Sequence, residues 1–386
     1  MKPPSIHKNI NAMKNDIQTP NTSAPLQVPS DEALLSLMMS GLKQADPSFQ
    51  PTNYWAAYEP RFMGELKAHG LTDMRRQKNL VFRSFGAVDF VHPVAELMLR
   101  NHRLFKQWPF NTQPITKLAE RIDKYLSRYI KTVDALDFET YVRLGYAYAN
   151  EYARGSNARP LSEFSMSVAG NPEGVVEIEG RLYSRQMIQY YLQYAYISRF
   201  VNFNDLPVIA ELGSGMGRQT EIFFKLHPES AYLLFDIPPQ LYVAEQYLQT
   251  VFPGKVVSYR ETQHWTDLKS IKPGHIHILG NFKMPLLATS PVSLFWNSAS
   301  FHEMEPSVVQ NYLQYVDATC EWAYLAENLK GGKRAKAPGD LGILQVTTLD
   351  HYKSGLPSLD LIDQTPVERI NGKPLQDHHM LFQRRV

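Results

Sequence analysis

The spacing of apolar residues changes period about half-way along the chain. Ser30 is placed to cap a helix whose first turn carries Asp31 and Glu32, and Leu34, Leu35, Met38, Met39 and Leu42 then share one helical face. Helical patterning continues through much of the stretch to about residue 155, including the tyrosine- and charge-rich segment Arg121–Tyr152, which Gly145 alone interrupts. Gly155, Asn157, Pro160 and then Gly170-Asn171-Pro172-Glu173-Gly174 predict a loop. Residues 184–200 predict another helix, bearing Tyr190, Tyr191, Tyr194 and Tyr196. Rings at that spacing either pack on the core or line a cleft for a sugar. After Pro207 the rhythm becomes strand, loop, helix. Strands are expected at Val208–Leu212, Ala231–Phe235, Val292–Trp296 and Trp322–Ala326, with helices at Thr220–Leu226, at Gln240–Phe252 and after Pro306. This alternation predicts an α/β fold: an open, Rossmann-like parallel sheet with helices on both faces, preceded by a mainly helical N-terminal region.

Composition narrows the class. With 386 residues there is room for about two or three domains. The expected division is a disordered tail over 1–30, a helical region over 31–179 and a ligand-binding α/β domain over 180–386. The tail contains Pro3, Pro4, Pro20, Pro25 and Pro29 and no aromatic residue, and lacks the apolar core of a secretory signal. A formal net charge of +2 argues against a strongly electrostatic nucleic-acid binder, and the single Cys320 excludes an intrachain disulfide. No apolar run approaches the ~18 residues of a membrane-spanning helix. The expectation is a soluble, cytoplasmic globular protein.

The chemistry is concentrated in Glu211-Leu212-Gly213-Ser214-Gly215-Met216-Gly217, between a predicted strand and a helix. Glycines permit a sharp turn and a close approach of ligand to backbone. The dinucleotide fingerprint G-x-G-x-x-G fails, because Arg218 stands where its last glycine belongs. What remains, acid-x-Gly-x-Gly-x-Gly, is the first motif of S-adenosylmethionine-dependent methyltransferases. Glu211 suits the ammonium of that cofactor, and Asp236, ending the next strand beside Ile237, suits its ribose hydroxyls. The third strand has two candidates, Val256–Tyr259 ending at Glu261 and His275–Leu279 ending at Gly280. The second is favoured, with Asn281 and Phe282 against the adenine. His275 and His277 read as partly exposed strand histidines, and His378-His379 as surface ones.

Farther on, Asp236-Ile237-Pro238-Pro239 and Asn297-Ser298-Ala299-Ser300-Phe301-His302-Glu303-Met304 resemble the family of sugar O-methyltransferases. The similarity covers roughly residues 180–330. It implies a class I methyltransferase fold, S-adenosylmethionine as methyl donor and a sugar, nucleotide-sugar or glycan hydroxyl as acceptor; Asn297 joins the expected cofactor-binding set. A sugar hydroxyl is a weak nucleophile, so a base or a metal must activate it. His302 is the candidate base, and Glu303 either orients the imidazole or is itself the base. Glu303, Glu305 and Asp236 offer the rival, hard-oxygen metal site, although no resident metal is expected. The basic run Lys330-Gly331-Gly332-Lys333-Arg334-Ala335-Lys336 either holds phosphates of an activated sugar or is a solvated loop. The competing class is a methyltransferase-like binding or assembly protein without catalysis. The helical N-terminal region is expected to shape the acceptor pocket or to join two copies of the chain.

Overall fold

A computed structural model describes residues 26–76, 139–368 and 374–385. The predicted tail up to residue 25 and the part of the Arg121–Tyr152 segment before residue 139 lie outside the described residues.

The first helix, α1 (Glu32–Gln44), buries Leu34, Leu35, Met38 and Leu42. Its cap is Asp31 rather than Ser30: the Asp31 carboxylate accepts the Leu34 amide at 2.9 Å. Helix α2 (Asn53–His69) follows, and residues 139–153 form α3. A hairpin of β1 (Val176–Ile178) and β2 (Arg181–Tyr183) leads into α4 (Arg185–Ile197), capped by Ser184. On α4, Tyr191, Tyr194 and Tyr196 are buried, so three of the four clustered tyrosines are core residues.

The sheet begins after α4. Its elements are β3 (Val208–Leu212), α5 (Arg218–Leu226), β4 (Ala231–Asp236), α6 (Pro238–Val251), β5 (Val256–Val257), α7 (Tyr259–Thr262), β6 (Ile276–Gly280), β7 (Val292–Ser298), α8 (Pro306–Thr319), β8 (Cys320–Asn328), α9 (Leu349–Gly355), β9 (Leu359–Glu368) and β10 (Pro374–Arg384). The strand order is β5-β6-β4-β3-β7-β8-β10-β9. All neighbours run parallel except β10, which is antiparallel to both β8 and β9. The expected Rossmann-like sheet behind helical N-terminal segments is therefore present. Both candidates for the third strand are strands, lying side by side at one edge.

Helices cover both faces of the inner strands, so positions on β4 and β6 are buried whichever way they point, whereas the edge strand β9 is largely exposed. Two corrections follow. His277 is fully buried: its Nδ1 lies 3.1 Å from the Tyr232 carbonyl, and its Nε2 accepts the Lys272 amide at 3.0 Å. Burial lowers its pKa to about 4, so the ring is neutral. His379 is also buried, stacked on Tyr196 at 3.9 Å and bonded to the Tyr324 hydroxyl at 2.7 Å. Neither is a surface histidine.

The N-terminal helices share the sheet's core. One apolar cluster runs from Leu34 and Met38 through Tyr191 to Ile222, Leu241 and Trp296. Each such buried side chain contributes roughly 1.5–3 kcal/mol. Asp31 fastens α1 to the α/β layer by an ion pair with Arg260 at 3.0 Å, and its amide donates to the Tyr242 hydroxyl at 2.7 Å. Among the described residues, no helix is long and apolar enough to cross a membrane.

Candidate functional site

Strand order reverses between β3 and β7, so the loops leaving their carboxyl ends diverge and open a crevice. The β3 loop is the glycine turn. Gly213 has φ +77°, and a Cβ there would stand 2.4 Å from Ser300 Oγ on the β7 loop. Gly217 has φ +81°, and its missing Cβ lets Leu248 of α6 approach; a methyl group would sit 2.6 Å from Leu248 Cδ1. The close helix packing that the dinucleotide fingerprint assigns to its last glycine is thus made here by Gly217. Arg218, next in line, turns back to α4, with Nε 3.2 Å from Met187 Sδ and its guanidinium 5.5 Å from the Tyr190 ring centroid.

Asp236 closes the turn from β4. Its Oδ2 accepts the Gly215 amide at 2.8 Å and its Oδ1 accepts the Ile237 amide at 2.7 Å. A carboxylate has about four acceptor sites, so each oxygen keeps one for a ligand. Burial raises the Asp236 pKa to about 7 despite these bonds. Glu211 accepts from the Thr220 hydroxyl at 2.6 Å, and burial lifts its pKa to about 8.

The crevice deepens into a cavity of about 380 Å³, within the range of small-molecule sites. Of the residues singled out in the sequence, Glu211, Gly213, Ser214, Gly215, Asp236, Ile237, Asn281 and Glu303 line it together. Gly217, Phe282, Asn297 and His302 are not on its wall. Gly217 is turned to α6. Phe282 lies over Gly280, where a Cβ would meet its ring at 2.5 Å. Asn297 is a bracket behind the site, donating to the Leu212 carbonyl at 2.8 Å and to Ser300 Oγ at 2.6 Å. Asn281 has one half of its amide committed: Nδ2 donates to the Phe49 carbonyl at 2.7 Å and the Tyr312 hydroxyl at 2.8 Å. Its Oδ1 is buried without a partner, as are Ser214 Oγ, Gln240 Oε1 and both amide atoms of Gln219. A buried polar atom left unpaired costs about 1–3 kcal/mol, so these atoms form a wall suited to a polar ligand.

The β7 loop contains Ala299 at φ +61°, an uncommon conformation for a residue with a side chain. Glu327, fully buried at the end of β8, holds the turn that follows. It accepts the amides of Ser300, Phe301 and His302 at 3.3, 3.3 and 3.0 Å and pairs with His302 Nδ1 at 2.6 Å. Burial alone would depress the His302 pKa, but the Glu327 carboxylate outweighs it and raises the value to about 9. Glu303, on the cavity wall, is pushed up to about 7 by burial, against the opposing charge of His302 and a hydrogen bond from Tyr54. Nothing in the local sequence marked Glu327; its only signal is an acid where a buried strand ends. Trp55 of α2 and Gln186, Gln189, Tyr190 and Gln193 of α4 also line the cavity and were not singled out as a set. Their signal was the helical spacing of the α4 residues.

The basic run lies off the cavity wall. Its four cations are exposed, and Gly332 donates to the His302 carbonyl at 2.9 Å. Asn53 of α2 clasps the far end of that loop through the carbonyls of Asp340 and Gly342 at 2.8 and 2.7 Å. Among the described residues, no three His, Cys, Asp or Glu side chains converge as a metal-binding group.

No family model and no curated protein matches the chain. Solved structures similar to it include the mitomycin 7-O-methyltransferase MmcR, at 12% identity and a TM-score of 0.33 over 52% of this chain and 57% of that one. Human N-acetylserotonin methyltransferase, solved in complex with SAM, gives 14% identity and a TM-score of 0.30 over 52% and 56% of the two chains. Magnesium protoporphyrin IX methyltransferase from Synechocystis PCC 6803, with bound SAH, gives 10% identity and a TM-score of 0.35 over 52% and 84%. The match thus spans less than two thirds of the first two proteins.

Proposed function

We propose that the chain binds S-adenosylmethionine in this cavity and moves its methyl group to a hydroxyl of a small acceptor, a sugar or glycan precursor. The carrying observation is that the glycine turn, Asp236 with an acceptor site left on each oxygen, and the Glu303 carboxyl meet in one cavity at the strand-order reversal.

The residues fit the cofactor. Asp236 would receive the ribose hydroxyls, and the unpartnered Asn281 Oδ1 would accept from the exocyclic amine of adenine. Glu211, once ionised, would hold the ammonium. The cofactor supplies a methyl group already activated by its sulfonium, which leaves the chain two tasks: aligning the acceptor oxygen and taking its proton. With Glu211 and Asp236 given to the cofactor, Glu303 on the β7 loop is the wall carboxyl assigned to take it; at a pKa of about 7 it is a stronger base than an ordinary carboxylate and about half ionised near neutrality. His302, held protonated by Glu327, is occupied at Nδ1 and lends positive charge beside Glu303. The base role, open between the two residues from sequence, is thus assigned to Glu303, with His302 as its neighbour.

The test is calorimetric titration with S-adenosylmethionine, S-adenosylhomocysteine and NAD, followed by transfer of labelled methyl to a glycoside panel. Binding of the first two without NAD supports the reading; NAD binding without a response to S-adenosylmethionine overturns it. Cofactor binding with no transfer to any acceptor would favour the non-catalytic class.

A further inference from the structure

One wall of the cavity is not used by the cofactor assignments above. Gln186, Gln189, Tyr190 and Gln193 recur at helical spacing on α4, and all four reach the cavity. The face is therefore a stripe of three amides and a phenol, and a half-buried indole, Trp55 of α2, lines the same cavity. Parts of this stripe are braced. Gln186 donates to the Tyr190 hydroxyl at 3.1 Å, Gln189 donates to the Glu368 carbonyl at 2.6 Å, and Gln193 Oε1 accepts from Ser298 Oγ at 3.2 Å. On the stripe Gln186 Oε1 is buried without a partner, and on the neighbouring α5 so are both amide atoms of Gln219, a cavity residue only 5% exposed.

The charge of the wall points the same way. Among the described residues lining the cavity, the carboxyls are Glu211, Asp236, Glu303 and Asp377, and the one guanidinium is Arg218. Arg218 is 2% exposed and engaged with Met187, Ser184 and the Tyr190 ring. A phosphate or carboxylate brought into this space would find no accessible guanidinium or lysine on the wall to replace its hydration. An ammonium only donates, so it would leave the unpaired Gln219 Nε2 without an acceptor. Neutral hydroxyls both donate to and accept from amides, and they repay the unpaired atoms. The indole and phenol supply apolar faces for the C–H surface of a ring.

Resting on the methyltransferase reading, we propose that the acceptor is gripped between α2 and α4. Trp55, Tyr190, Gln186 and Gln193 are its specificity-determining residues, and the part bound is an uncharged, hydroxyl-rich ring. If the natural acceptor carries a phosphate, that phosphate stays outside the cavity.

The experiment is saturation-transfer NMR on the full chain loaded with S-adenosylhomocysteine. The probes are methyl glycosides of glucose, galactose and rhamnose, glucose 1-phosphate, and catechol. Transfer is expected to at least one methyl glycoside, with glucose 1-phosphate and catechol weaker by about tenfold, the equivalent of one lost or frustrated hydrogen bond. Trp55→Ala and Gln193→Leu should each abolish transfer while leaving calorimetric affinity for S-adenosylhomocysteine unchanged; Gln193→Asn, which keeps an amide, should retain part of it. Stronger transfer to the phosphate or the catechol, silence from every glycoside, or full transfer in both variants overturns the proposal. If S-adenosylhomocysteine itself fails to bind, the methyltransferase reading fails separately, and the same spectra on the unloaded chain still decide the acceptor site.

Discussion

Glu211→Gln separates the electrostatics of this site from its shape. Glutamine keeps the volume and an oxygen for the Thr220 hydroxyl, now 2.6 Å from Glu211, and removes the ionisable proton. In the ligand-free chain, burial raises the Glu211 pKa from 4.5 to about 8. Between those values the folded chain holds a proton that the unfolded chain has released, so stability falls as pH rises and levels off above about 8. At about 1.4 kcal/mol per pH unit, the loss from this group reaches roughly 3 kcal/mol by neutrality, less whatever relaxation of the site relieves. Asp236 and Glu303, both raised to about 7, add slopes of the same sign. Melting temperatures of wild type and variant from about pH 5 to 9 should therefore converge toward the acid end and separate above neutrality, with the variant the more stable by a few degrees. S-adenosylmethionine should narrow the gap. Its ammonium favours the ionised carboxylate, and losing a charge-assisted hydrogen bond worth about 1.5–3 kcal/mol weakens binding by roughly 10–100-fold. Identical pH slopes together with identical cofactor affinity would refute the reasoning.

Two further substitutions probe the turn on either side of the cavity. Gly213→Ala forces a side chain into φ +77° and against Ser300 Oγ at 2.4 Å, so cofactor affinity should fall by at least about tenfold in calorimetry, with about 1–3 kcal/mol of stability lost. Glu327→Gln removes the partner that raises His302 to about 9. A pKa raised on folding stabilises fully below the unfolded value of 6.5 and fades as pH passes 9, so the variant should lose about 2–4 kcal/mol near pH 6 and less at high pH. Thermal melts across that range check the sign.

The parts of the site made by contiguous residues were legible in the sequence. A strand, a glycine turn and a following acid announce themselves by spacing, and β3, α5 and β4 fall where the pattern places them. Residues that act across the fold were not. Glu327 serves a turn 25–27 residues away in sequence, and Trp55 reaches a cavity whose other walls begin after residue 185. His277 was misread for a different reason: a strand histidine has a wet face only when one side of the sheet is open, and both faces of β6 are covered, while His379 is buried beneath Tyr196 of α4. Ser30 and Asp31 are both competent caps, and only the geometry of the Leu34 amide separates them.

On the proposed function, the cavity between the β3 and β7 loops binds S-adenosylmethionine through Asp236. Calorimetric titration of the wild-type chain and of Asp236→Asn with S-adenosylhomocysteine tests it most directly. Asparagine brings an amide N–H into the shell of donors now formed by the Gly215 and Ile237 amides, so one-site binding in the wild type should weaken by about tenfold or more in the variant. No binding to the wild type, or equal binding to both chains, would rule out a cofactor site built on Asp236.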